Sequence, residues 1–181
     1  MRLFVAIPVS EEIKLKIALV YQELKKTGAN FVFVKEDNLH LTIVFLGEVN
    51  EDKVTEIVDK INLSVKGLRK FSLNFRGIDV FLSLEEMKVV WIGVESLELK
   101  ELMKKINISL NYVLNEEKES IPHLTIARNK SGQSNELMKG VIKKFAKEYF
   151  GSMKVEKLVL FSSALTAKGP IYTVVKEFSL S

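Results

Sequence analysis

The same tetrapeptide, His-Leu-Thr-Ile, occurs twice in this 181-residue chain, at residues 40–43 and at residues 123–126. The two copies hold the only two histidines of the sequence. Both lie in runs rich in β-branched and apolar residues, which are typical of strands. Because side chains alternate between the two faces of a strand, the histidine and threonine of each copy share one face and the leucine and isoleucine share the other. The repeat therefore predicts two similar strands, each anchored by apolar side chains.

Strands and helices are predicted to alternate around each copy of the tetrapeptide. In the first half, strands are predicted at 2–7, 31–34, 40–46 and 71–75, with helices at 10–26 and from residue 50. In the second half, strands are predicted at 89–94, 123–127, 155–160 and 172–178, with helices at 97–114 and 135–149. No linker rich in proline or serine separates the halves. We therefore expect one domain, residues 1–181, made of two similar lobes, one from each half.

Two such strands, related by an approximate twofold axis, would turn His40, Thr42, His123 and Thr125 into one cleft that suits a phosphate. Imidazole titrates at a pH of about 6.5, so near neutrality one ring can act as a general base while the other, protonated, acts as a general acid. Phosphodiester cleavage needs both, because water must lose a proton and the leaving ribose oxygen must gain one. The threonine hydroxyls can donate hydrogen bonds to the nonbridging phosphate oxygens. These four residues are the predicted catalytic groups.

Other interpretations of the two histidines need residues that the sequence lacks. A zinc site would need at least one more ligand, and neither a His-x-x-x-His helix nor a cysteine pair is present, so no metal site is predicted. The absence of a Gly-x-Ser-x-Gly elbow and of a Gly-x-x-x-x-Gly-Lys loop argues against a serine hydrolase and a nucleoside triphosphatase. A structural role stays open, because strand histidines often only pack and a duplication can preserve a tetrapeptide for folding.

The composition bounds location and partners. The chain has no cysteine, which rules out disulfides and thiolate chemistry and favours a reducing, cytoplasmic environment. No run approaches the roughly 18 apolar residues of a membrane span, so no membrane association is expected. A net charge of +4 mildly favours a polyanionic partner.

The two motifs and several further segments resemble the two-histidine phosphoesterases, in particular the RNA 2′,3′-cyclic phosphodiesterases, also called 2′-5′ RNA ligase-like proteins. That family carries two His-x-Thr-x motifs, in which x is usually hydrophobic. The likeness covers essentially the whole chain, and the residues that carry it are Arg2-Leu3-Phe4-Val5-Ala6-Ile7, Glu36-Asp37-Asn38-Leu39-His40-Leu41-Thr42, Phe45-Leu46-Gly47-Glu48, Pro122-His123-Leu124-Thr125-Ile126-Ala127-Arg128, Ser163-Ala164-Leu165-Thr166 and Gly169-Pro170-Ile171-Tyr172.

The resemblance implies a bilobal α+β fold in which two pseudo-twofold-related lobes of antiparallel sheet carry helices on the outside and enclose a central cleft. It implies hydrolysis of a terminal 2′,3′-cyclic phosphate to a 2′-phosphomonoester, without a metal or other cofactor. By the same resemblance, His40 protonates the leaving 3′ oxygen and His123 activates water. The near symmetry of the motifs leaves the assignment of acid and base open.

The resemblance also points to Phe45 and Arg128, each five positions after its histidine, as a pair that sandwiches the terminal base. An aromatic face and a guanidinium plane can each contribute about 1 to 3 kcal/mol of stacking energy without reading base edges. Simple alternation, however, places Phe45 on the strand face opposite His40, unless the strand bends. Phe45 could then be a core residue and Arg128 a surface charge.

Three functions follow from the paired motifs and the family resemblance. The first is hydrolysis of a 2′,3′-cyclic phosphate on an RNA end or on a small cyclic nucleotide. The second is 2′-5′ ligation of RNA, which is the reverse reaction in the same site. The third is a noncatalytic module that binds RNA ends. We expect the protein to be a monomer.

Overall fold

The computed structural model describes residues 1–114, 121–131, 134–167 and 169–181. Within these ranges the chain forms nine strands, four α-helices and three short 3₁₀ turns. The strands are β1 Arg2–Pro8, β2 Phe31–Phe33, β3 His40–Glu48, β4 Phe71–Leu82, β5 Met87–Glu95, β6 His123–Asn129, β7 Tyr149–Val155, β8 Lys157–Thr166 and β9 Gly169–Ser179. The helices are α1 Glu11–Lys26, α2 Val54–Val65, α3 Leu97–Ser109 and α4 Glu136–Phe145. No helix among the described residues combines the length and apolar composition that crossing a membrane requires.

The strands form two sheets in which every pair is antiparallel. The first sheet has the strand order β3-β1-β8-β9, and the second sheet has the order β2-β6-β5-β4-β7. The helices α2 and α3 contact the first sheet, while α1 and α4 contact the second. The predicted α+β architecture of two antiparallel lobes with outer helices is therefore confirmed.

The prediction that each half of the sequence builds one lobe is wrong. Strand β1 hydrogen-bonds to β3 on one edge and to β8 on the other, so the first sheet combines the two ends of the chain. Helix α1, which directly follows β1, contacts β2 and β7 of the second sheet instead. The physical reason is that a central strand needs partners on both edges, and the β8–β9 hairpin supplies the edge that β3 leaves open. The chain consequently passes repeatedly from one sheet to the other.

Three predicted element bounds also need correction. The helix predicted at 135–149 ends at Phe145, and the strand predicted at 155–160 begins at Lys157 as β8 and continues to Thr166, while Val155 is the last residue of β7. Most of β7 was not predicted as a strand, because Gly151, whose φ is +117°, and the exposed Ser152 and Lys154 leave it a weak apolar pattern. The helix predicted at 97–114 ends at Ser109 and is followed by a 3₁₀ turn.

The strand predicted at 71–75 continues to Leu82, and a bulge at Gly77 interrupts its alternation. Gly77 has a φ of +71°, and a Cβ there would lie 2.6 Å from the carbonyl oxygen of Ala146. Only glycine combines this backbone conformation with this close approach. The bulge therefore hides the second half of β4 from a search for strict alternation.

Apolar side chains from both sheets pack into one continuous buried cluster. Helix α1 contributes Ile13, Ile17, Val20 and Leu24, all at most 1% exposed, which form the stripe expected from their spacing. The opposite, concave faces of the two sheets meet at β3 and β6, which contact each other. The two histidine motifs lie on these two strands.

Candidate active site

Strands β3 and β6 present the two tetrapeptides in the same way. Leu41, Ile43, Leu124 and Ile126 are at most 1% exposed and anchor the strands in the core. The histidines and threonines, on the other face, are only partly buried. The burial of the apolar residues thus fixes the face on which the polar ones emerge.

One cavity of about 260 Å³ lies between the two sheets. It brings together all six residues singled out from the sequence, and its lining comprises Val32, Phe33, Val34, Lys35, Asn38, His40, Thr42, Phe45, His123, Thr125, Arg128, Gly169, Pro170 and Tyr172. Two imidazoles, two hydroxyls and two cationic side chains therefore share one concave surface. Such a set suits an anionic ligand with a reacting phosphate.

Each imidazole is held by a hydrogen bond to the backbone carbonyl of the residue two positions before it. His40 Nδ1 lies 2.7 Å from the carbonyl oxygen of Asn38, and His123 Nδ1 lies 2.7 Å from the carbonyl oxygen of Ile121. Because a carbonyl oxygen only accepts, Nδ1 carries the hydrogen in each ring and donates it. Nε2 of each ring is thereby left free for proton transfer, either as a base in the neutral ring or as an acid in the protonated one.

The aromatic surroundings of the two rings differ. His40 lies edge-on to Tyr172, with ring centroids 5.3 Å apart, and 4.9 Å from Phe4. His123 lies edge-on to Phe81 at 4.8 Å and near Trp91 at 6.0 Å. Burial lowers the pKa of His40 below its usual value of 6.5, and the hydrogen bond to the Asn38 carbonyl opposes this shift in part. In the free protein His40 therefore holds its second proton less readily than an exposed histidine does.

The lowered pKa of His40 makes stability depend on pH in a defined direction. The unfolded chain binds this proton at a pKa of about 6.5, whereas the folded chain binds it only at lower pH. The stabilisation from the neutral, buried ring is complete above pH 6.5 and is lost as pH falls through the folded pKa. We therefore expect the free energy of unfolding of the parent to fall more steeply from pH 7.5 to pH 5.5 than that of His40→Gln, in urea titrations. If the free energy of unfolding of the parent and of His40→Gln changed equally with pH, the lowered pKa of His40 would be contradicted.

A bulge in each motif strand decides where Phe45 and Arg128 point. In β3, Thr42 pairs with Ala6 and Val44 pairs with Val5, so Ile43 is an extra residue. In β6, Thr125 pairs with Trp91 and Ala127 pairs with Val90, which makes Ile126 the extra residue. Both bulges thus lie three residues after the histidine.

Each bulge inserts a second consecutive core residue and shifts the later alternation by one position. Val44 and Ala127 are buried next to Ile43 and Ile126, and the residue after them returns to the cleft face. Phe45 is accordingly 66% exposed and lines the cavity with Arg128. Placement of Phe45 opposite His40, as simple alternation predicts, is therefore wrong.

The site includes residues that were not singled out from the sequence. The Asn38 amide Nδ2 donates to the Pro170 carbonyl at 3.1 Å, which ties β9 to the segment before His40. Tyr172 on β9 reaches the cavity, and burial raises the pKa of its phenol while the nearby Arg128 charge opposes that shift. The only sequence signal for both was their place in the segments that carry the family likeness. The carbonyl groups that hold the histidines belong to the main chain and leave no signature in the sequence.

Comparisons with known proteins agree with this geometry. A family model described as the AKAP7 2′5′ RNA ligase-like domain matches residues 3–180. The chain is 37% identical over 179 residues to a Methanocaldococcus jannaschii protein named RNA 2′,3′-cyclic phosphodiesterase, covering 98% of this chain and 100% of the relative.

Solved structures show the same architecture. A crystal structure of a Thermus thermophilus protein superposes with a TM-score of 0.86 and 26% identity, covering 99% of this chain and 98% of that one. The crystal structure of Escherichia coli LigT complexed with 3′-AMP has a TM-score of 0.72 and 25% identity, covering 99% of this chain and 97% of that one. The architecture described above is thus found in a nucleotide-bound protein.

Proposed function

This chain belongs to the 2′-5′ RNA ligase-like family of two-histidine phosphoesterases, and from that membership and the geometry of its cleft we propose that it is an RNA 2′,3′-cyclic phosphodiesterase. The substrate is an RNA end, or a small cyclic nucleotide, that carries a 2′,3′-cyclic phosphate, and the product is a 2′-phosphomonoester. One observation carries the proposal: two identically held imidazoles, one on each sheet, line a single cavity.

The reaction uses both rings in one step. Neutral His123 takes a proton through Nε2 from a water molecule, whose oxygen forms a new bond to phosphorus. The bond between phosphorus and the 3′ oxygen breaks, and protonated His40 gives its Nε2 proton to that oxygen. A 2′-phosphate and a free 3′ hydroxyl result, and the two histidines have exchanged their protonation states.

The environment of His40 supports its assignment as the acid. A group with a lowered pKa is a stronger acid when it is protonated, which favours proton transfer to the leaving 3′ oxygen as its bond to phosphorus breaks. The cost is a smaller protonated fraction in the free protein at neutral pH. The negative charge of a bound cyclic phosphate offsets that cost, because a nearby anion favours the imidazolium.

The remaining cavity residues would position the substrate. Thr42 and Thr125 would donate hydrogen bonds to the nonbridging oxygens, and Arg128 and Lys35 would contribute positive charge. Phe45 and Arg128 would hold the terminal base between an aromatic ring and a guanidinium plane. Because stacking does not read base edges, this arrangement tolerates any of the four terminal bases.

The proposal is tested by product identification in EDTA. We expect the parent protein to convert a short RNA with a 2′,3′-cyclic phosphate entirely to the 2′-phosphate, at the same rate with and without the chelator. Chromatography against synthetic 2′-phosphate and 3′-phosphate standards identifies the product. A linear dinucleotide without a cyclic end serves as the control substrate and should stay intact. Loss of turnover in EDTA, or a 3′-phosphate product, would contradict the mechanism.

The alternatives drawn from the sequence are not favoured. A relative 37% identical over nearly its whole length carries the name of the hydrolase, and both motifs retain histidine and threonine. In about 55 M water, hydrolysis also prevails over ligation unless a 5′-hydroxyl acceptor is bound in place. The cytoplasmic location, the monomeric state and the single folding unit stay predictions.

A further inference from the structure

A row of paired residues crosses the second sheet from the active site to its far edge. His123 on β6 pairs with Gly93 on β5, Gly93 pairs with Arg76 on β4, and Arg76 pairs with Tyr149 on β7. Residues that pair in a sheet project from the same face. At about 4.8 Å per strand spacing, Arg76 lies about 10 Å from His123 on the cleft face.

The glycine in this row adds no side chain to the surface between His123 and Arg76, and an edge of the Trp91 ring lies 3.8 Å from where its Cβ would be. A Cβ at Gly93 would lie 2.6 Å from the Arg76 carbonyl oxygen, so the backbone admits no larger residue there. A groove of about 410 Å³ borders this gap and is lined by Arg76, Trp91, Gly93 and Lys143 among others. Because Trp91 also contacts the His123 ring, the groove adjoins the catalytic cavity.

Arg76 is held in place but keeps its charge available. Its guanidinium lies 5.1 Å above the ring of Tyr149, whose hydroxyl is 3.3 Å from the Asn74 side-chain oxygen. Among the described residues, no carboxylate forms an ion pair with Arg76. Asp79, which also lines the groove, accepts a hydrogen bond from the Val80 backbone N–H at 2.8 Å.

The first sheet offers a different surface to the cleft. There the row of Phe45, Phe4, Phe161 and Val174 is entirely apolar, and the nearest cation on the same face of β1 is Arg2, two residues from Phe4. The second sheet instead carries Arg76 and, farther along the same face, Lys154, which pairs with Ser72. Glu95 and Asp79 lie on this face as well, and Asp79 lines the groove, so the two cations that face the groove are Arg76 and Lys143 with one carboxylate beside them.

We propose that the groove lined by Arg76, Trp91, Gly93 and Lys143 binds the RNA strand that precedes the terminal nucleotide, with Arg76 contacting the nearest backbone phosphate. The proposal rests on the function proposed above, since an RNA whose end occupies the cavity must leave it along one wall of the cleft. A polyanion favours a wall with cations, and on the second sheet Arg76 and Lys143 line a groove that adjoins the cavity. Tyr149 is a positioning residue that keeps the guanidinium extended over the sheet. The contact between Arg76 and the phosphate recognises the charge of the RNA backbone and not the base sequence.

The test compares one substrate with the strand and one without it. The substrates are a tetranucleotide ending in adenosine 2′,3′-cyclic phosphate and adenosine 2′,3′-cyclic phosphate itself. For Arg76→Ala, we expect kcat/KM on the tetranucleotide to fall about 10-fold through KM, with kcat unchanged, because a phosphate contact binds ground and transition states alike. The mononucleotide should be turned over within about twofold of the parent rate.

Matched variants separate the strand contact from general effects. Lys16→Ala removes the same charge from the exposed face of α1, on the outside of the molecule, and should leave both substrates unaffected. Tyr149→Ala should lower tetranucleotide kcat/KM and Tyr149→Phe should restore it, and these variants decide the question if Arg76→Ala fails to fold. Equal effects of Arg76→Ala on both substrates, or a loss with Lys16→Ala as large as with Arg76→Ala, would overturn the proposal.

The outcome also distinguishes this proposal from the proposed function. If the parent turned over neither substrate, the proposed function would fail, and fluorescence anisotropy with a tetranucleotide ending in a 2′-phosphate would decide the strand contact alone. Binding weakened about 10-fold by Arg76→Ala would support the groove. Equal binding by both proteins would overturn it.

Discussion

Replacing His40 or His123 with alanine is expected to lower kcat on RNA with a 2′,3′-cyclic phosphate end by about 10² to 10⁴. Each variant removes one of the two Nε2 atoms that exchange protons with the substrate in the proposed mechanism, while the other ring stays held by its carbonyl. Because the two rings act in one step, the kcat of the double variant should be little lower than that of the less active single variant. Single-turnover rates measured across pH 5 to 8 give the comparison.

Two further observations separate lost chemistry from lost structure. Exogenous imidazole should restore part of the activity of each alanine variant, since the vacated space can accept the ring. The parent should show a bell-shaped pH profile, and each variant should lose one limb of it. Activity near that of the parent in either variant would rule out the paired acid and base.

Replacing Thr42 or Thr125 with valine is expected to lower kcat about 10²-fold. Valine has the shape of threonine, so the packing of β3 and β6 is retained and only the hydroxyl is lost. The lost hydrogen bond would be to an oxygen that gains charge in the transition state, so the effect should fall on kcat more than on KM. Steady-state kinetics of the purified variants on the same RNA give both constants.

Serine variants provide the matched controls for the valine variants. Thr42→Ser and Thr125→Ser keep the hydroxyl and lose a methyl group, so they should retain most of the activity. A loss in the serine variants as large as in the valine variants would assign the effect to packing. Full activity in Thr42→Val and Thr125→Val would show that the hydroxyls do not touch the reacting phosphate.

The parts of the fold that follow from periodicity could be predicted from the sequence. The stripe of α1 and the alternation of residues 40–43 and 123–126 are local patterns, and a buried face forces them. The bulges at Ile43 and Ile126 could not be predicted this way, because one additional apolar residue in an apolar strand leaves no distinct pattern in the sequence. Yet these bulges bring Phe45 and Arg128 to the cleft, so the position five residues after each histidine was identified only through the family likeness.

Contacts between distant parts of the chain were also beyond local patterns. Tyr172 lies far from both motifs in sequence and reaches His40 only because β8 pairs with β1 and β9 pairs with β8. The assignment of strands to sheets depends on which edge each strand leaves free, and periodicity says nothing about edges. The same lack of information explains why the two halves of the chain were expected to form separate lobes.

The repeated crossing of the chain between the two sheets bears on how the distance between the imidazoles of His40 and His123 is maintained. In an enzyme with two lobes and one hinge, the acid and the base come into place each time the lobes close. Here many covalent connections join the two sheets, and opening the cleft would strain several of them at once. We therefore expect the spacing between the two imidazoles, the proton carriers of the proposed reaction, to be set when the protein folds, so that substrate binding spends little energy on bringing them together.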